Sequence, residues 1–242
     1  MNYTEALSFS FQDEDWPKKL LIGGIFAFVS LFAGLIFILG FFTMGYYIGL
    51  LRNVMEGSEK PLPSWSNWSK IIVDGLLGGI IYLVYLVIIG GMAAIMIYSV
   101  VEDPGMQDFE MVMAIIIISL LALFSLSILC NLGLARFAAT NDFGAAFGLV
   151  EIFRLLKNDF GNYLTISIFS FILNAVLFLA GLGIFSPFTN FWGMMVQAHL
   201  FGQCVRKAGS VPLHTKTMET ERGEQPAAVE PAELSGGLPR VS

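Results

Sequence analysis

Apolar residues in this chain run in long unbroken blocks, with polar positions gathered between them. The first block, residues 20–51, holds 32 residues without a charged side chain, closed by Lys18 and Lys19 on one side and Arg52 on the other. Charge-free stretches follow at 75–101, 111–135 and 161–205. Each exceeds the roughly 18 residues that mark a membrane-helix candidate. At about 1.5 Å rise per residue, the first block would make a helix of roughly 48 Å, against a hydrocarbon core of about 30 Å. The mismatch predicts a folded-back pair, or one tilted span with an interfacial leg. Gly34 and Gly40 are the candidate breakpoints, because glycine tolerates turn geometry. Two legs from this block come to about 15 residues, or roughly 22 Å, each. A re-entrant bend is therefore the alternative, and its backbone would need cover from protein or a wetted cavity.

The middle of the chain predicts two further spans, about 71–98 and 111–136. They are joined by the acidic loop 101–110 with Pro104–Gly105 as its turn. The last block is too long for one helix and predicts legs at 163–185 and 188–206, with the turn at SPFTN, residues 186–190. Residues 1–19 and 143–156 mix apolar with charged positions and predict amphipathic segments lying in the interface. The expected fold class is all-α: a polytopic membrane helix bundle over residues 1–207, with interfacial helices and a disordered C-terminal tail at 208–242. That tail is polar, acidic and proline-bearing, so it lacks the apolar content that offsets ordering entropy.

Tryptophan placement refines the edges. Trp16, Trp65 and Trp68 sit beside the apolar blocks and are candidate interfacial anchors. The three-residue spacing of Trp65 and Trp68 predicts that they share a helical face. Lys70 and Asp74 are four apart, a spacing that allows a modest pair, and Asp74 is expected at the headgroup boundary. Gly45 and Gly49 form a GxxxG pair, and Gly75, Gly78 and Gly79 repeat the close-packing signal.

Composition agrees with the pattern: 56% of residues are hydrophobic and only 13% charged, against about 25% charged in soluble domains. The net charge of −6 and the absence of a basic patch argue against nucleic acid as a partner. The expected partners are the lipid bilayer and a membrane protein or a second copy of the chain. If both folded-back runs enter and leave on one side, all 13 Lys and Arg share that side, and the loop 102–110 lies opposite. Positive residues favour the cytoplasm. This predicts a multi-pass cell-membrane protein with six membrane segments and both termini cytoplasmic. The rival layout has five spans and an outside N-terminus. The two ends of the chain also echo each other at an offset of 144: Asp15 with Asp159, Trp16 with Phe160, Leu20 with Leu164 and Gly49 with Gly193.

The segments FQDEDWPKKLLIGG, MGYYIGLLRNVMEG, LPSWSNWSKIIVDGL, ARFAATNDFGAAF and AHLFGQC carry a resemblance. With LPxW at 62–65 and Asp74–Gly75, the chain resembles a prokaryotic membrane-protein family classed only as a domain of unknown function, over about residues 3–207. The resemblance implies a membrane protein and no particular activity, substrate or cofactor.

Chemistry is sparse. Cys130 and Cys204 fall inside apolar blocks and read as packed thiols. No cofactor or metal site is expected, since His199 has no matching ligand set, and no catalytic residues stand out. The candidate polar residues inside the membrane are Asn131, Asn174, His199 and Gln203. His199 and Gln203 share a helical face, and Gln197 points elsewhere. They read as interhelical hydrogen-bonding groups or as the lining of a polar path. Function is accordingly expected to be a small membrane scaffold or accessory subunit, with a transporter- or channel-like protein built on two broken-helix repeats as the alternative.

Overall fold

A computed structural model describes residues 2–32, 36–103, 105–181 and 185–209, the side chains of 30–39 excepted. The described chain is helical, in the order α1 (Tyr3–Ser8), α2 (Trp16–Phe32), α3 (Ile36–Glu56), α4 (Trp68–Val101), α5 (Asp108–Thr140), α6 (Leu149–Ala180) and α7 (Ser186–Ala208). Short 3₁₀ turns follow α1 at Phe9–Gln12 and precede α6 at Gly144–Phe147. Among the described residues, three helices, α4, α5 and α6, are long and apolar enough to cross a membrane. The protein is a membrane-embedded helix bundle.

The first apolar block folds back. Lys19, near the start of α2, donates from Nζ to the Leu62 carbonyl at 3.2 Å, beyond the end of α3. The two ends of the block therefore lie side by side. Its legs reach 17 and 21 residues, about 26 and 32 Å, because each helix recruits flanking residues: Trp16–Lys19 before the block and Arg52–Glu56 after it. Gly40 is not the breakpoint. It lies within α3, where continued backbone hydrogen bonding outweighs one glycine's modest helix cost. Gly34 lies outside the described residues, as do Pro104 and the tail from residue 210.

Close approach of α3 and α4 rests on two glycines. A Cβ on Gly45 would stand 1.9 Å from the Ile71 carbonyl oxygen, and one on Gly75 would stand 1.8 Å from that of Phe41. The backbones meet where hydrogens alone fill the gap. Gly49 faces the Pro63 ring instead, so the GxxxG pair does not act as one seam. Gly23 and Gly24 of α2 leave room for the rings of Phe191 and Phe188 on α7.

The last block also folds back, but its turn precedes residue 186. Ser186 and Pro187 open α7, with proline at the first helical turn, where its missing N–H is no loss. SPFTN is thus a helix start, and Thr189 Oγ1 ties it to the Leu177 carbonyl of α6 at 2.8 Å. The amphipathic stretch forms its own helical leg, beginning at Leu149 after the 3₁₀ turn rather than at residue 143. It is the first half of α6 and ends at a kink at Asp159 (φ −146, ψ 35), where a second helix begins. The Asp159 carboxylate accepts from the Asn162 side-chain amide Nδ2 at 2.5 Å, a side-chain bond that ties the kink to the first turn beyond it. The second half of α6 thus begins at Phe160, as α2 begins at Trp16, at the offset of the sequence echo.

Packing is uneven along the bundle. Tyr46, Ile48, Leu50 and Leu51 of α3, Ile166 of α6 and Val196, Leu200 and Phe201 of α7 are fully buried. In α4, by contrast, Ala93 is the one buried residue after Tyr85, and in α5 burial starts at Leu126. The far halves of these two helices show Val87, Met92, Ile95, Phe109, Ile117 and Leu121 to the surroundings. In water such a surface would cost far more than a monomer tolerates; in lipid it costs nothing.

Candidate functional site

Midway along the bundle, polar side chains from five helices, α3 to α7, meet among apolar ones. Tyr47 of α3, 3% exposed, donates its hydroxyl to Asn131 Oδ1 of α5. Asn131 in turn donates from Nδ2 to the Ser127 carbonyl at 2.5 Å. Two cavities flank this pair and share Leu123, Ser127 and Gln197 as a common wall. One, of about 300 Å³, is lined by Tyr47, Tyr82, Cys130, Asn131 and Met194 among others. The other, of about 290 Å³, lies between α5, α6 and α7 and includes Ser167, Ser170 and Asn174. Asn174 donates to the Ser170 carbonyl at 2.8 Å. The Ser167 and Ser170 hydroxyls are buried without a hydrogen-bond partner.

The four candidate intramembrane residues separate into two pairs. Asn131 and Asn174 line the mid-depth cavities. His199 and Gln203 stand nearer the end of α7 and hold the N-terminal segment. The His199 ring stacks on Phe9 with centroids 4.3 Å apart. Gln203 Oε1 accepts from the Asn2 backbone at 3.2 Å, and its Nε2 donates to Glu5 at 3.3 Å. Beside them lies a polar crevice of about 360 Å³ with Ser58, Arg206 and Lys207 on its walls. Gln197, two residues before His199, turns instead to the mid-depth cavities and joins them, which helical spacing alone could suggest but not decide.

One end of the bundle is locked by charged groups that bridge elements. Arg52 of α3 donates to Asp74 of α4 at 3.0 Å, to the Ala138 carbonyl of α5 at 2.8 Å and to Asn141 Oδ1 at 2.8 Å. Lys70 adds the expected pair to Asp74 at 3.3 Å. Asn141, with φ 53, caps α5 in the left-handed conformation asparagine tolerates. Arg136 donates to the Ala145 carbonyl at 2.8 Å. The signal for Arg52 was its position at a block edge, facing an acid at the edge of the next block; its partner needed the fold.

Lys19 pairs with Asp13 at 2.7 Å. Burial works against the Asp13 carboxylate, but the Lys19 bond, the Asp15 backbone N–H and the charges of Lys19 and Lys60 outweigh it and hold its pKa below the ordinary value. Burial and, to a lesser degree, Cys204 push the Tyr3 hydroxyl up.

Trp65 and Trp68 lie 5.7 Å apart and both meet Phe26, but they differ in exposure. Trp68 opens α4 and is 42% exposed, whereas Trp65 precedes the helix and is 7% exposed. They therefore do not share a helical face. Trp65 stacks on Tyr46 at 4.6 Å and donates to the Lys19 carbonyl at 3.3 Å, so the LPxW segment plugs the space between α2 and α3. Trp16 packs edge-on against Phe11 at 4.9 Å.

Cys130 and Cys204 are both free and buried. Cys204 lies 3.3 Å from Asp159. Among the described residues, no three His, Cys, Asp or Glu side chains stand close enough together to hold a metal ion.

No curated protein and no solved structure matches the chain. A family model does, over residues 20–186, a narrower span than the motif resemblance covers. Its matched segment takes in α2 to α6, including the LPxW plug, the Arg52–Asp74 lock and most of the mid-depth polar groups. By that match the chain belongs to the family described as "Protein of unknown function (DUF4013)".

Proposed function

We propose that this protein is a membrane scaffold or accessory subunit without enzymatic chemistry of its own. The observation that carries the reading is the contrast between the two ends of the bundle. One end is fastened by Arg52, Lys19 and Arg136 to four different elements. At the other end, α4 and α5 extend with almost nothing buried. Gly91 has open space where a Cβ would stand, and small residues are where membrane helices approach closely. A fixed platform with an uncovered apolar hairpin suits seating a partner helix.

The orientation belongs to the same reading. Asn2 and Gln203 touch, so both ends of the described chain lie at the basic end. Under the preference of positive residues for the cytoplasm, that end faces inward, and α2, α3, α4, α5, α6 and α7 supply six membrane segments. The test is cysteine crosslinking in native membranes from Gly91→Cys and from Val150→Cys. Scaffolding requires a defined adduct from the first and none from the second. Adducts of random size from both positions would overturn it.

The transporter-like alternative draws on the mid-depth cavities. Their linings are mainly apolar, so on that reading the cargo would be lipid-soluble. Uptake of a polar solute by reconstituted vesicles would count against the scaffold and favour a polar path instead.

A further inference from the structure

We infer that the cavity between α5, α6 and α7 binds a lipid-soluble molecule bearing a neutral hydrogen-bond acceptor, such as a carbonyl on a hydrocarbon chain. The inference stands independently of the scaffold reading.

Two observations carry it. The first is the pair of orphaned hydroxyls. Ser167 and Ser170 are 2% and 4% exposed, line the cavity and lack any hydrogen-bond partner. A helical serine commonly relieves itself on the carbonyl four residues back, as Ser8 and Thr165 do in this chain. Ser167 and Ser170 do not, so two unpartnered donors sit in the wall of one space, their oxygens closed over by neighbours. Buried polar groups are normally satisfied, and an acceptor in that space would satisfy both once the side chains turn about χ1 to another staggered rotamer. The second observation is the mouth. Leu120, Leu123 and Phe171 line the same cavity and are 41%, 54% and 53% exposed. On helices long enough to cross a membrane, these residues face the bilayer, so the cavity opens sideways into hydrocarbon.

The lining also sets the ligand's charge. It contains no ionisable residue, and an ion there would be desolvated without compensation. At about 290 Å³, the space holds a head and part of a chain, close to the lower end of ligand pockets. Gln197 and Asn174 in the wall bring further polar atoms. An apolar pocket with a few convergent polar groups is how proteins orient small lipid-soluble molecules.

The experiment uses the full chain in detergent micelles and two photoreactive diazirine probes of equal chain length, a fatty acyl methyl ester and an alkane. Labelled peptides are mapped by mass spectrometry. The ester should label residues 120–127 and 167–175 saturably, at least fivefold more than the alkane. The double variant S167A/S170A should bring ester labelling down to the alkane level. Because it removes unsatisfied hydroxyls, the variant should melt no lower than the native protein, and the ester should raise the melting temperature of the native protein alone. Adding unlabelled phosphatidylglycerol separates two sources of the same chemistry. Loss of labelling assigns the site to a membrane phospholipid ester, and retention assigns it to a free single-chain molecule. Equal labelling by both probes, labelling spread along 86–101, unchanged labelling of the variant, or a lower melting temperature for the variant would each overturn the proposal.

Discussion

Gly45 and Gly75 show how little room a residue can have. Each would drive a Cβ to within 2 Å of a carbonyl oxygen on the facing helix. Backbone cannot step aside as a side chain can. Gly45→Ala should therefore destabilise the bundle by at least about 1–3 kcal/mol, the usual cost of overpacking, whereas Gly40→Ala, with nothing within 4 Å, should be neutral or slightly stabilising. Thermal unfolding in detergent distinguishes the two. Arg52 gives a second residue-scale expectation. Asp74→Asn strips the carboxylate from a pair whose side chains are 12% and 9% exposed, and breaking a buried pair costs about 3–5 kcal/mol; Lys70→Met, at a half-exposed partner, should cost about 1 kcal/mol or less. The sequence marked these glycines as packing residues and Asp74 as a boundary acid. It could not say that Gly45 meets Ile71, or that Arg52 reaches both α4 and the end of α5, because those partners lie on other helices and follow from crossing geometry.

The N-terminal segment is the element with the clearest pH dependence. Its hold on the bundle runs through Asp13–Lys19, Asn2–Gln203, the Phe9–His199 stack and the bond from Trp192 to Ser10 at 3.0 Å. The folded Asp13 pKa lies below its unfolded value of 3.8. Its contribution to stability is therefore fully present above that value and is lost as pH falls through the lower folded value. Near-UV circular dichroism should show an acid step below about pH 4 that is missing in Asp13→Asn. A second element-scale expectation concerns the kink. Asp159→Ala removes the acceptor for Asn162 and the partner of Cys204; loss of a hydrogen bond to a charged group costs about 1.5–3 kcal/mol. It should also let the two halves of α6 straighten, read as a change in distance between spin labels at Val150 and Phe171. Helix existence was legible throughout from block length. Helix ends were less so, since the amphipathic leg starts at Leu149 rather than at residue 143, and Pro187 starts a helix where proline usually signals a turn. Both depend on what packs alongside.

For the molecule as a whole, the expectation that matters is sidedness. Lys19 beside Leu62, and Asn2 beside Gln203, put the ends of α2, α3 and α7 together. Reporter tags at Lys18 and in the loop 57–60 should therefore read on the same side of the membrane, and a tag in the loop 102–107 on the other. Membrane embedding was settled by the chain alone, because uncharged runs of such length have no other stable surroundings. So was the folding back of the last block, which is too long for one helix; the first block was open between a folded-back pair, a re-entrant bend and one tilted span, and the contact of Lys19 with Leu62 decided it. The division of the polar residues was decided only in three dimensions. Asn131 and Asn174 were brought to mid-depth cavities, His199 and Gln203 to the N-terminal segment, and Gln197 to the wall between cavities. Hydropathy reports how each residue partitions out of water, one at a time; which polar groups end up facing each other depends on the rotation and crossing of whole helices, and that is a property of their packing.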